Sequence, residues 1–153
     1  MLVYIIDGFN LVYQIEGLKN SINPHIGLID HIRNNKLTGS HNNKVVIAFD
    51  GALNLEAIQR KGRFELLFSD QASADDLIIN RVKKISNRKQ VVMVSDDREL
   101  RDSVSSLGAR VCWVKDFIFL KKKQIEEEEN KKDISPALKD EITREMRKIW
   151  LKE

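Results

Sequence analysis

An α/β fold built on a parallel sheet is what this sequence predicts, and three observations predict it. Short apolar runs rich in β-branched and aromatic residues recur along the first 114 positions. Stretches with helical periodicity separate them, which implies βαβ units with right-handed crossovers. Several of the runs stop abruptly at an acid. Carboxyl ends of strands are where an open α/β sheet collects its chemistry.

The first run, Leu2 to Ile6, is too short for a helix and suits a strand buried on both faces. It ends at Asp7-Gly8-Phe9-Asn10. Leu11, Ile15 and Leu18 then share a helical face, and Gly17 loosens its end. Pro24 opens a second helix, with Ile26, Ile29, Ile32 and Leu37 near a 3.6 period and His31 packing on the apolar side. Lys44 to Phe49 is a second buried strand, ending at Asp50-Gly51. Leu53 to Lys61 reads as a short helix or irregular segment, and Arg63 to Phe68 as a third strand.

Ser73-Ala74-Asp75-Asp76 starts a helix whose inner face is Leu77, Ile78, Val82 and Ile85. Gln90 to Val94 is a fourth strand, followed by Ser95-Asp96-Asp97. Arg98 to Leu107 is helical and stops at Gly108, a residue suited to the left-handed terminus. Arg110 to Val114 is a fifth strand. From Lys121 the composition changes. Residues 121–134 alternate blocks of like charge and read as a linker. Ser135-Pro136 starts a terminal helix, residues 135–153, with a stripe of Leu138, Ile142, Met146, Ile149 and Trp150. That stripe must bury itself against the domain, against a second copy in a homodimer, or against another partner.

Composition narrows the function classes. A chain of 153 residues that is 42% hydrophobic can bury one domain's core, and no apolar run approaches a membrane span. No basic leader precedes a longer apolar stretch, so the expectation is a cytoplasmic protein without a signal peptide. Cys112 is the single cysteine, which excludes an internal disulfide and a cysteine-rich metal site. A net charge of +3 permits a polyanionic partner without demanding one. No phosphate-binding glycine loop with Lys-Ser/Thr is present.

The acids carry the functional reading. Asp7, Asp50, and Asp96 or Asp97 each follow an apolar strand, and Asp75 and Asp76 open a helix at the same edge. Crowded carboxylates repel one another and are costly without a cation. Mg²⁺ or Mn²⁺ would supply it. Each acid also has a plainer role: Ser73 to Asp76 fits a capping box, Asp96 can cap a helix, and Asp50-Gly51 can be a turn. That all four groups reach one edge independently is the weaker explanation. Asn10, three residues beyond Asp7, can cap its helix or bind a phosphate oxygen. Arg98 and Arg101, after the Ser95 turn, are candidates for binding flanking phosphates, as are Arg60, Lys61 and Arg63.

Asp7-Gly8-Phe9-Asn10, Phe49-Asp50-Gly51, Ser73-Ala74-Asp75-Asp76 and Val94-Ser95-Asp96-Asp97 together resemble the NYN domain, in its YacP-like branch, within the PIN-like nuclease superfamily. The resemblance covers residues 1–120. It implies a PIN-like three-layer fold, with a five-stranded parallel sheet in the order 3-2-1-4-5 and helices on both faces. It also implies a metal-dependent endoribonuclease acting on ribosome-associated or messenger RNA. Its catalytic acids would come from Asp7, Asp75, Asp76, Asp96 and Asp97, its metal ligands from Asp7, Asp76 and Asp96, and its substrate contacts from Asn10 and Ser95. The serine directly before the strand-four acid favours Asp96 within that branch. Other NYN proteins place a residue between, which favours Asp97.

Two rivals stand beside it. Asp7, Asp50, Ser95 and Lys115 mimic a phosphoacceptor signalling domain, with Asp50 as the acceptor, although that reading leaves Asp75 and Asp76 unexplained. The other is a noncatalytic RNA-binding module of the same fold, against which the intact acids argue.

Overall fold

A computed structural model describes residues 1–119 of the chain. The linker and the amphipathic terminal stretch expected over 121–153, and the homodimer they suggest, lie outside the described residues. Five strands form one all-parallel sheet: β1 (Val3–Asp7), β2 (Lys44–Phe49), β3 (Glu65–Phe68), β4 (Val91–Val94) and β5 (Arg110–Cys112). Their order is β3-β2-β1-β4-β5. This is the expected topology, and it puts β1 between β2 and β4.

The register holds the carboxyl ends level. Asp7 pairs with Ala48 of β2, and Ile6 with Val94 of β4. β1 therefore runs one residue further than its apolar stretch suggests, because ladder pairing continues through Asp7. β3 and β5 are shorter than expected. Trp113 and Val114 leave the ladder, and residues 114–119 turn helical.

Helices cover both faces. α1 (Gly8–Gln14), α2 (Pro24–Asn34) and α3 (Leu55–Arg60) lie on one side. Their apolar residues meet Tyr4, Ile6, Val45, Ile47 and Phe49 in one core, which Phe117 completes. α4 (Ala74–Lys83) and α5 (Arg98–Ser106) lie on the other side, packed on Val3, Ile5, Val46, Ala48, Val91 and Met93. Alternate residues of β1 thus feed opposite cores, as period-two side-chain geometry requires. Each fully buried Ile or Phe contributes about 1.5–3 kcal/mol of apolar transfer energy, so two such layers hold the central strands firmly.

Caps set the helix starts. Asn23, Asn54, Ser73 and Asp97 each accept a hydrogen bond from a backbone N–H in the first turn of the helix that follows. α1 begins at Gly8, earlier than its apolar periodicity indicates, and ends at Gln14. Ile15 and Leu18 still bury apolar surface from the turn beyond it. Gly8 makes that abrupt start sterically feasible. A Cβ there would lie 2.6 Å from the Phe49 ring and 2.9 Å from the Ala48 carbonyl oxygen. Only glycine allows the strand-to-helix turn to pass this close to β2.

Candidate active site

The tight turn at Gly8 leaves Asp7 at the centre of the sheet's carboxyl edge. Asp7 is 5% exposed. Its Oδ2 accepts hydrogen bonds from Ser95 Oγ at 2.8 Å and from Asn10 Nδ2 at 2.9 Å. Ser95 Oγ in turn accepts from the Asp97 N–H at 3.0 Å, and Asn10 Oδ1 from the Asp96 N–H at 3.1 Å. Asn10 and Ser95 therefore tie the end of β1 to the end of β4. These polar groups are short, local to two adjacent strand ends, and mutually satisfied.

Asp50 does the same on the other flank. Its Oδ1 accepts from the Ala74 N–H at 2.7 Å, which couples the end of β2 to the start of α4. Asp75, on the next residue, is thereby drawn toward the edge. Asp97 caps α5 through the Leu100 N–H at 3.1 Å. Asp7, Asp50, Asp75 and Asp97 line one open cleft of about 440 Å³, together with Asn10, Ser73, Phe9 and Tyr13. No Lys or Arg is part of that lining.

The expected acids separate into two groups. Asp76 is exposed, with its N–H bonded to Ser73 Oγ, and does not line the cleft. Asp96 is turned to other work. One of its oxygens accepts from the Val114 N–H at 2.9 Å, and the other from Gln14 Nε2. Of the alternatives open in sequence, geometry brings Asp75 and Asp97 to the cleft and leaves Asp76 and Asp96 outside its lining. Asp50, a candidate on motif grounds, is within it.

The two arginines differ as well. Arg98 is exposed at the first position of α5, outside the cleft lining. Arg101, expected to reach for phosphates, is buried. Its Nη1 donates to the Ser95 carbonyl at 3.1 Å, and its guanidinium lies 3.5 Å from the centre of the Trp113 ring. It fixes the turn that carries Ser95 and Asp97. The helical period put Arg101 one turn after Arg98 but could not say which way it faced.

Phe9, Tyr13 and Ser73 are lining residues to which the sequence reading gives no role in the site. Phe9 stands edge-on to Phe49 and His25, with ring centres 5.6 Å and 5.3 Å away. Tyr13 leans on Phe9 at 6.3 Å and is 69% exposed. The i, i+4 spacing of the two rings on α1 was the available signal.

Electrostatics follow from the crowding. Burial is the main cause that pushes the Asp7 carboxyl up to about 6, and the charges of Asp75, Asp50 and Asp97 add to it. The Ser95 hydrogen bond opposes the shift. Asp75 is raised too, by burial first and then by Asp97, Asp50, Asp76 and Glu99. Among the described residues no three His, Cys, Asp or Glu groups already form a metal-holding cluster. The donor set still fits Mg²⁺ or Mn²⁺. Mg²⁺ keeps several of its waters and takes one or two carboxylates directly, so a roomy, all-oxygen cleft without competing cations suits it.

Comparison with known proteins agrees with this architecture. Two crystal structures of Rae1 (YacP) from Bacillus subtilis superpose on the chain. One has a TM-score of 0.65 at 20% identity, covering 98% of this chain and 92% of that one. The other, a tryptophan-to-leucine mutant, has a TM-score of 0.62 at 19% identity, covering 94% and 91%. At such identity the likeness is one of fold. No curated protein matches the chain in sequence. The sequence profile of the YacP-like NYN domain matches residues 4–152, well beyond the boundary at 120 that the motifs suggest. With a match over nearly its whole length, this chain belongs to the YacP-like NYN domain family.

Proposed function

We propose that this protein is a metal-dependent endoribonuclease that hydrolyses RNA phosphodiester bonds at the carboxyl edge of its sheet. The family is one of nuclease-like, RNA-related domains. The observation that carries the proposal is four carboxylates facing one cleft with no cationic side chain in its lining. The cost of that arrangement makes sense where a divalent cation is drawn in.

Asp7, Asp75 and Asp97 are the proposed ligands, with Asp50 beside them. Bound Mg²⁺ or Mn²⁺ would acidify a water and neutralise charge developing on the phosphate. The chain's own residues do the rest. Ser95 and Asn10 hold the Asp7 carboxylate in one orientation, which would present it to an ion without reorganisation. Arg101 holds the Ser95 turn from behind. Tyr13, exposed at the rim, offers a ring against which an unpaired base can stack, which suits a single-stranded segment. Family resemblance extends the proposal to messenger RNA, free or on the ribosome, and so to an activity in the cytoplasm.

The signalling alternative loses its footing on topology. A phosphoacceptor domain of that kind has the order 2-1-3-4-5 and its acceptor after strand three. Here Asp50 follows β2, and the order is β3-β2-β1-β4-β5. Incubating the full chain with RNA and Mn²⁺, with and without chelator, tests the nuclease reading. Cleavage that needs the cation and disappears in Asp7→Asn supports it. Equal cleavage by Asp7→Asn and wild type would refute it, and binding without cleavage would favour the noncatalytic module.

A further inference from the structure

A second charged feature lies at the opposite end of the sheet. A small cleft of about 100 Å³ opens between the end of α2 and the loops entering β2 and β3. Arg33, Lys36, His41 and Arg63 line it, and no Asp or Glu does. Lys36 and Arg63 are exposed, and neither side chain has a hydrogen-bond or ion-pair partner among the described residues.

Two details show that the cleft is built rather than incidental. Arg33 is immobilised: its Nη2 donates to the carbonyls of Arg60 and Lys61 at 2.9 Å and 3.0 Å, and its guanidinium lies 5.3 Å from the centre of the Phe64 ring. Lys36, at φ +50, is the left-handed residue that closes α2, where the Lys36 and Leu37 N–H groups donate to the Arg33 and Ile32 carbonyls, and this fixes its backbone at the cleft. The two nearby acids are already engaged, Asp30 with Arg60 and Glu65 with Arg81. Like charges gathered around one opening without a counterion on the protein attract an anionic partner.

We infer that this cleft binds the phosphate backbone of the RNA, away from the bond that is cut. The inference rests on the nuclease reading for the identity of the polyanion, and it adds a second contact that the chemistry does not require. β2 runs between the two sites, with Asn43 and Val45 at the basic end and Asp50 at the acidic end. Six residues of strand at about 3.3 Å each separate them by roughly 20 Å. At about 3.4 Å per nucleotide in a stacked strand, roughly six nucleotides span that gap. Cleavage of a long RNA would therefore be favoured through binding, with no change in the chemical step.

The test is anisotropy of a labelled single-stranded RNA of about twenty nucleotides, titrated with full-length protein in chelator across a range of KCl. The doubly neutralised variant Lys36→Asn with Arg63→Gln should bind about tenfold more weakly at low salt. Its salt slope should be smaller by about 1.4, the loss of two single-strand phosphate contacts. The charge-keeping pair Lys36→Arg with Arg63→Lys should bind like wild type. An unchanged slope in the neutralised variant overturns the inference. So does equal competition by polyglutamate, or displacement of the RNA by inorganic phosphate or a mononucleotide at comparable phosphate concentration. If RNA binds with the expected slope and is never cut, the nuclease reading fails while the phosphate cleft stands.

Discussion

At the carboxyl edge of the sheet Asp7 is buried and bonded to two neighbours, whereas at the amino edge Lys36 and Arg63 are exposed and have no side-chain partner among the described residues. The acidic site is assembled from strand ends, helix caps and a glycine turn, and Asp7, Asn10, Ser95 and the Asp96-Asp97 backbone lean on one another. The basic site depends on charge placed on loops. In the first, Asp7 and Asp75 have raised pKa values and Asp7 is held in a narrow geometry, as chemistry requires. Groups in the second need only be cationic and near. Substitutions should therefore act on rate at one end and on salt-dependent affinity at the other.

The largest effect should come from Asp7→Asn. The amide keeps an oxygen to accept from Ser95 and Asn10 but loses the charge that holds a divalent cation, so cleavage should fall by orders of magnitude. Stability should move the other way. The folded carboxyl sits near 6 rather than 3.8, so the native state binds more protons than the unfolded state between those values. The ionised, buried Asp7 thus costs about 3 kcal/mol above pH 6, and the cost disappears as pH falls toward 4. Chemical denaturation at pH 8 and pH 4 checks this. The variant should gain stability only at the higher pH, and a loss there would break the comparison.

Gly8→Ala comes next. The new methyl meets Phe49, which is fully buried, and the Ala48 carbonyl, so neither can yield cheaply. Destabilisation of about 1–3 kcal/mol is expected, with loss of activity even where the protein remains folded. Thermal melts alongside cleavage assays measure both, and a silent substitution would mean the turn is looser than its geometry implies.

Divalent cation should stabilise the wild type in proportion to the charge it relieves. Mg²⁺ added at pH 8 should raise the melting temperature more than at pH 5, where Asp7 is largely protonated. The Lys36→Asn with Arg63→Gln variant should respond like wild type. Asp7→Asn should respond less, and an equal response would place the ion elsewhere.

Arg101→Lys should have the smallest effect of the set. A lysine keeps the charge but loses the planar stack on Trp113 and the aimed donor to the Ser95 carbonyl. Activity should fall about tenfold to a hundredfold, as for other positioning groups around a site. The salt slope of RNA binding should not change. A flattened slope would return Arg101 to the phosphate-binding role that its sequence position suggests.

Much of the fold was legible because each strand is a compact apolar run closed by an acid or a turn, and four of the helices, α2 to α5, have a capping side chain. Ser73 and Pro24 mark helix starts within a residue, and the five runs give the α/β class directly, whereas the cap expected of Asp96 falls to Asp97. Boundaries were less legible where tertiary pairing overrides apolar content. Asp7 belongs to β1 by its ladder, and Trp113 leaves β5 despite its β propensity.

For the candidate site, sequence alone determined that acids from four separate segments meet at one edge, since a parallel sheet brings all its carboxyl ends to the same side. It could not choose between Asp75 and Asp76, or between Asp96 and Asp97. Neighbours on a chain share a backbone position but face different ways, and only the surrounding hydrogen bonds decide which way. Gln14 and the Val114 N–H claim Asp96, while the Asp50 bond to Ala74 draws Asp75 inward. The basic cleft was less legible still. Arg33, Lys36, His41 and Arg63 are spread over thirty positions without a pattern, and only the packing of α2 against the β2 and β3 loops gathers them.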